Sequence, residues 1–128
     1  DMFQDPRGPI ESFEWGRFII NGETHSMDVE GVGKDICILQ GCVTSWKARK
    51  GHQLRPEMVS CVFDQGVTIL VVGIGVNGAL KVKKKTRNAI KDAGIGELII
   101  EKTPKACEIY NQMIRAGKQV AFLAHGTC

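Results

Sequence analysis

Three short apolar runs constrain this chain more than anything else in it: "VTILVVG" from residue 67, "ELII" from 97 and "QVAFLA" from 119. The first is apolar at nearly every position, the mark of a strand covered on both faces. Between the first two, Ala79, Val82, Thr86, Ala89, Ile90 and Ala93 recur at helical spacing, and Gly94 stops the pattern. Thr103-Pro104 reads as the N-cap and first turn of a second helix ending at Gly117. The order is β-α-β-α-β, with crossovers long enough for parallel pairing.

Upstream, "SFEWGRFIINGETHSMDVE" reads as a hairpin turning at Asn21-Gly22, and "DICILQ" as a third strand. Residues 41–55 read as a polar, basic, irregular loop, and Pro56 opens a short helix to about Gln65. The expected fold class is a single α/β domain with a mixed sheet. An N-terminal antiparallel meander precedes a C-terminal β-α-β-α-β parallel unit with helices packed on the sheet. It is expected to occupy residues 12–128 behind a loose leader, 1–11.

At 128 residues the chain suits one core. Its longest apolar run is far too short to span a bilayer, and the acidic start shows no secretory signal. Five cysteines without a C-x-x-C pair fit reduced thiols and a cytoplasmic setting. The net charge of +3 hides an asymmetry: residues 1–35 sum to −5 and residues 36–128 to +8. That suits an anionic ligand, although solvated helix faces explain most such lysines. Nucleic acid ranks last among partners. Trp46 among Lys47, Arg49, Lys50 and His52 is a lone aromatic, expected to seal the edge of the core.

If the three runs are parallel neighbours, their carboxyl ends share one edge, where open parallel sheets hold ligands. That edge would gather Gly73 to Gly78, Thr103, and His125 to Cys128. "GIGVNG" has the G-x-G-x-x-G spacing of a dinucleotide turn. However, Lys83, Lys84 and Lys85 fit poorly in the first turn of a helix springing directly from it. The 50 residues after Gly78 also leave no room for a second nucleotide-binding half. The turn is read instead as a tight strand exit shaping a pocket edge, or as a backbone nest for a phosphate or other anion.

The candidate catalytic residues are His125, as acid or base, and Cys128, as nucleophile. The candidate ligand-binding residues are Gly73, Gly75, Asn77, Gly78, Thr103, His125, Thr127 and His52. No metal is expected, because His25, His52, His125 and the cysteines show no recognised ligand spacing. No cofactor is expected either.

Several motifs taken in order carry a family resemblance. They are "FEWGRFIINGE", "VTILVVGIGVNGALKV", the Arg49–Gly51-His52 loop, and "AIKDAGIGELIIEKTPKACEIYNQMIRAGKQVAFLAHGTC". Together they resemble the small α/β domain family of the vertebrate adipogenesis-associated domain protein. A mitochondrial complex I assembly factor and many uncharacterised microbial proteins also belong to it. The resemblance covers nearly all of the chain after the leader. It implies a compact mixed-sheet domain with the glycine turn at a sheet edge, and supplies no enzymatic reaction. It also implies a pocket lined by Gly73, Gly75, Gly78, His125, Thr127 and Cys128, with His52 near.

The functional expectation is a non-enzymatic binding or assembly protein, whose partner is an unknown protein or a small anionic ligand, with no membrane role. The alternative is an enzyme for a small anion or phosphate compound, using His125 and the glycine turn.

Overall fold

In the computed structural model, which describes residues 2–128, all three apolar runs become strands of one sheet. They are β8 (Ile69–Gly73), β10 (Glu97–Glu101) and β11 (Val120–His125). β8 lies between the other two and pairs parallel with both. Two antiparallel strands, β5 (Asp35–Leu39) and β6 (Cys42–Ser45), extend the sheet beyond β11, giving the order β10-β8-β11-β5-β6. The expected mixed sheet with a parallel C-terminal unit is present.

The crossover from β8 to β10 carries α2 (Lys84–Asp92); the return past β8 to β11 carries α3 (Thr103–Arg115). Parallel crossovers turn right-handed, so steps in opposite directions put their helices on opposite faces. The core divides accordingly. Ile69, Val71, Val120 and Phe122 pack with Ala106, Cys107 and Tyr110 of α3. Leu70, Val72, Ala121 and Leu123 point the other way, toward Ile90 of α2 and Met58 and Val59 of α1 (Pro56–Val59). Period-two alternation with a covered face on each side explains why Ile69–Val72 and Val120–Ala124 carry no polar residue. A 3₁₀ turn, Ser60–Val62, continues α1.

The N-terminal part forms a second sheet of four antiparallel strands: β1 (Phe3–Gln4), β2 (Ile10–Glu14), β3 (Arg17–Ile20) and β4 (Glu23–Ser26). Asn21 and Gly22 both have positive φ, 50° and 80°, as a tight two-residue hairpin turn demands. Trp15-Gly16 makes a further turn, between β2 and β3. Ile10, Phe13, Phe18 and Ile20 place this sheet against the α3 side of the central one.

Three expectations need correction. Residues 2–11 are not a loose leader; Asp1 lies outside the described residues. β1 pairs with β2, Ile10 is fully buried, and Asp5 bonds Arg115 of α3 at 2.7 Å. That guanidinium, with Asn111, holds the Asp5 carboxyl below its usual range. The polar segment 41–55 is only partly a loop: it holds β6 and β7 (Gln53–Leu54), and β7 pairs with β9 (Lys81–Val82). Cross-strand partners, invisible in a polar string, decide such pairing. Lastly, Thr103 is not an N-cap. Lys102 holds that position, and the Thr103 hydroxyl is engaged elsewhere.

Among the described residues no helix is long and apolar enough to cross a membrane.

Candidate functional site

The carboxyl ends of β10, β8 and β11 do meet, with Gly73 paired to Glu101 on one side and Ala124 on the other. The crevice beyond them is filled by the chain's own last residues. Val76 N–H donates to the Thr127 carbonyl at 2.7 Å, and Asn77 and Ala79 N–H groups both donate to the Cys128 carbonyl at 3.1 Å. Gly75 N–H donates to the Thr103 hydroxyl at 2.9 Å, and that hydroxyl donates to the His125 carbonyl at 2.7 Å. With Ile74, Gly78 and Leu80 bonded to Glu101, Gly75 and Ile74 carbonyls, every backbone N–H from Ile74 to Leu80 has a protein acceptor.

This settles the role of the glycines. Gly75 has φ +101°, and a Cβ there would lie 2.4 Å from the Cys128 carbonyl carbon. A Cβ on Gly73 would meet Thr103 Oγ1 at 2.9 Å. The turn is a cradle for residues 127 and 128, and it presents no free nest of N–H groups to an anion. The helix after it starts only at Lys84, so that helix does not spring from the turn, as a dinucleotide site requires; the helix N-terminus beside the turn is that of α3, whose Thr103 N–H donates to the Gly75 carbonyl at 3.2 Å.

What the cradle holds in place is Cys128. Its Sγ lies 3.4 Å from His125 Nε2 and 3.6 Å from His52 Nε2. His125 is buried, His52 is exposed and Cys128 is partly exposed, so the group opens to solvent on the His52 side. Thr127 Oγ1 is 3.3 Å from His125 Nε2. His125 Nδ1 donates to Asp35 Oδ1 at 2.8 Å. A carboxylate oxygen only accepts, so Nδ1 carries a proton, and in the neutral ring it is the Nε2 lone pair that faces the sulfur. Arg49 Nε lies 2.5 Å from the same Asp35 oxygen, an ion pair with both side chains largely buried.

Different elements deliver these groups. β11 ends on His125, and its antiparallel partner β5 begins on Asp35, which puts the two residues opposite each other. His52 comes from the loop before β7, anchored by Lys81 N–H on its carbonyl at 2.7 Å. Gly126 is clamped by its N–H on Lys34 and its carbonyl on Gly16, at 2.6 and 2.7 Å. The structure therefore gathers every candidate residue at one edge, but in two roles. Gly73, Gly75, Asn77, Gly78, Thr103 and Thr127 position; His52, His125 and Cys128 present reactive atoms.

Two roles escaped the sequence reading: Asp35 as the partner of His125, and Arg49 as the partner of Asp35. The one signal for Asp35 is a charged residue opening an apolar strand, "DICIL". The expectation of no metal rests on sequence spacing, which carries no record of proximity in space. The ligand atoms of His52, His125 and Cys128 lie within 4.8 Å of one another, although no sequence spacing announces them. Trp46 seals the core as expected: it is 2% exposed and its Nε1 donates to the Met58 carbonyl, which rules it out as a base-stacking platform.

A pair of thiols lies away from this edge, where Cys37 of β5 meets Cys61. The Cys37 S–H donated to Cys61 sulfur brings the Cys61 pKa down to about 7, and the same contact together with burial pushes Cys37 up. Cys61 alkylation by iodoacetamide, mapped by mass spectrometry, should reach half its limiting rate near pH 7. An ordinary thiol, with its value of 9.0, would need a higher pH. Cys37→Ala should move the midpoint up; an unchanged midpoint would contradict the sulfur contact.

Comparison with known proteins places this architecture. A family described as "Protein of unknown function (DUF498/DUF598)" matches residues 10–125, which takes in every strand from β2 to β11, the glycine turn and His125. The chain belongs to that family. Among solved structures, this DUF498/DUF598 chain is similar to the conserved hypothetical protein PH1505 from Pyrococcus horikoshii OT3. The two share 22% identity at a TM-score of 0.76, over 93% of this chain and 98% of that one. A protein from Bartonella henselae described as an outer membrane protein matches at 18% identity and TM-score 0.75, covering 94% and 95%. A Bordetella pertussis protein described as a Mth938-like domain matches at 15% and 0.58, covering 91% and 84%. At these identities the likeness establishes the fold. Cys128 lies beyond the residues the family match covers.

Proposed function

We propose that this DUF498/DUF598 chain is a non-enzymatic binding domain acting through the edge where His52, His125 and Cys128 converge. The observation that carries the reading is the engagement of all seven backbone N–H groups from Ile74 to Leu80. Acyl or phosphoryl transfer needs donors aimed at a developing oxyanion, and the one turn suited to supply them holds Cys128 instead. What remains at the edge is the partly exposed Cys128 sulfur between the exposed His52 ring and the buried His125 ring, groups that recognise a ligand by donation. The resemblance to the adipogenesis-associated and complex I assembly proteins, known mainly through assembly or regulatory roles, supports the same reading.

Affinity purification from native lysate, with wild type beside His52→Ala, tests it. His52 is exposed, so the variant should fold normally. A stoichiometric protein partner recovered with wild type and lost with His52→Ala is expected. Recovery of wild type alone, or of a partner indifferent to the substitution, would count against it.

A second reading, a thiol enzyme, is favoured by the Cys128–His125–Asp35 sequence of contacts, which has the order of a nucleophile, a base and an orienting carboxylate. Turnover of a thioester or ester panel, abolished by Cys128→Ser in a folded protein, would establish it over binding alone.

A further inference from the structure

We propose that His52, His125 and Cys128 form a three-ligand site for a divalent late first-row transition ion, with zinc as the representative. The proposal rests on the binding reading above and names what the edge binds first. The spacing of the donors is the primary argument. A tetrahedral ion holding nitrogen at about 2.0–2.1 Å and sulfur at about 2.3 Å separates the two by roughly 3.5 Å. Cys128 Sγ stands 3.4 and 3.6 Å from the two imidazole nitrogens.

The surroundings are those a metal-bound imidazole needs. Asp35 takes the Nδ1 proton of His125 at 2.8 Å, which fixes the ring and leaves Nε2 free to coordinate. Arg49 in turn pairs with Asp35, so the orienting carboxylate is itself held. Cys128 is fixed through its carbonyl by Asn77 and Ala79 N–H groups, and Gly75 leaves it room. Two imidazoles around one sulfur also exceed what a nucleophile requires, since one base suffices to take its proton.

The donor set selects the ion. One thiolate and two imidazoles suit zinc and its neighbours; calcium and magnesium demand oxygen, and the cluster contains no carboxylate ligand. Binding replaces the Cys128 S–H bond with a sulfur–metal bond and releases that proton to solvent. Three protein ligands leave a fourth position open on the solvent side, near His52. A donor atom from the bound partner completes the tetrahedron there, which links the ion to the proposed function.

Cobalt(II) titration of chelator-treated, reduced protein tests the site. One equivalent should produce a thiolate-to-cobalt charge-transfer band with intense visible bands of a tetrahedral ion, and one equivalent of zinc should bleach both. Cys128→Ser should remove the thiolate band, and His52→Ala should weaken binding at least about tenfold, the scale at which even outer partners of a metal act. Cys61→Ser should leave the spectrum unchanged. Far-UV circular dichroism keeps folding in view. A wild-type protein with no thiolate band, or a band surviving in Cys128→Ser, overturns the metal site. Partner capture that depends on His52 without any cobalt spectrum overturns this inference alone. A cobalt spectrum from a protein that captures nothing overturns the binding reading and upholds the ion.

Discussion

Thr103→Val should destabilise the protein by about 2–4 kcal/mol. Valine keeps the shape of threonine, so the core around a fully buried position 103 loses no volume. What disappears is one hydroxyl with two duties: it accepts the Gly75 N–H and donates to the His125 carbonyl. An unpaired buried donor or acceptor costs roughly 1–3 kcal/mol, and two are created here. Chemical denaturation of wild type, Thr103→Val and Thr103→Ser measures the loss. Serine retains the hydroxyl and should recover most of the stability, whereas a valine variant within about 0.5 kcal/mol of wild type would mean that Gly75 finds another acceptor. The site should suffer beyond the global loss, because Gly75 and His125 flank Cys128 and this hydroxyl bonds both of them.

Asn111→Ala should cost about 3–5 kcal/mol. Asn111 of α3 is fully buried, and its amide takes the place of a missing strand. Its Oδ1 accepts the Ile10 N–H at 2.9 Å, and its Nδ2 donates to the Ile10 carbonyl at 2.7 Å and to Asp5 at 3.2 Å. β2 is irregular between Ile10 and Ser12, so these backbone groups depend on the side chain. Alanine leaves two buried groups unpaired, at roughly 1–3 kcal/mol each, and adds a small void. Urea denaturation should show the loss. Hydrogen exchange should rise first in residues 3–13, as a local opening of the N-terminal sheet, before the central sheet yields. Uniform loss of protection would contradict the anchoring role.

Much of the fold is legible in the residues. The parallel strands and the crossover helices follow from hydrophobic periodicity, a local property of the string. So does the prediction that Gly75 and His125 share an edge: a Cβ on Gly75 would lie 3.2 Å from the His125 ring. The misreadings have a common cause. β6, β7 and β1 are short and polar, and each exists because a particular partner is present: β5, β9 and β2. Thr103 before a proline looks like a helix cap, and only the neighbouring turn makes a better acceptor and donor pair available to it.

The site divides in the same way. His125 and Cys128 stand three positions apart, and the sequence marks them as chemistry-bearing. His52 arrives from 76 positions before Cys128, and Asp35 and Arg49 complete the contacts from elements distant in the chain. Composition and periodicity determined which segments are strands and which edge collects the glycines and the polar residues. Tertiary structure alone decided that the glycine turn grips residues 127 and 128, and that two imidazoles face one sulfur. Such contacts are set by how layers pack in three dimensions, and local patterns carry no record of them.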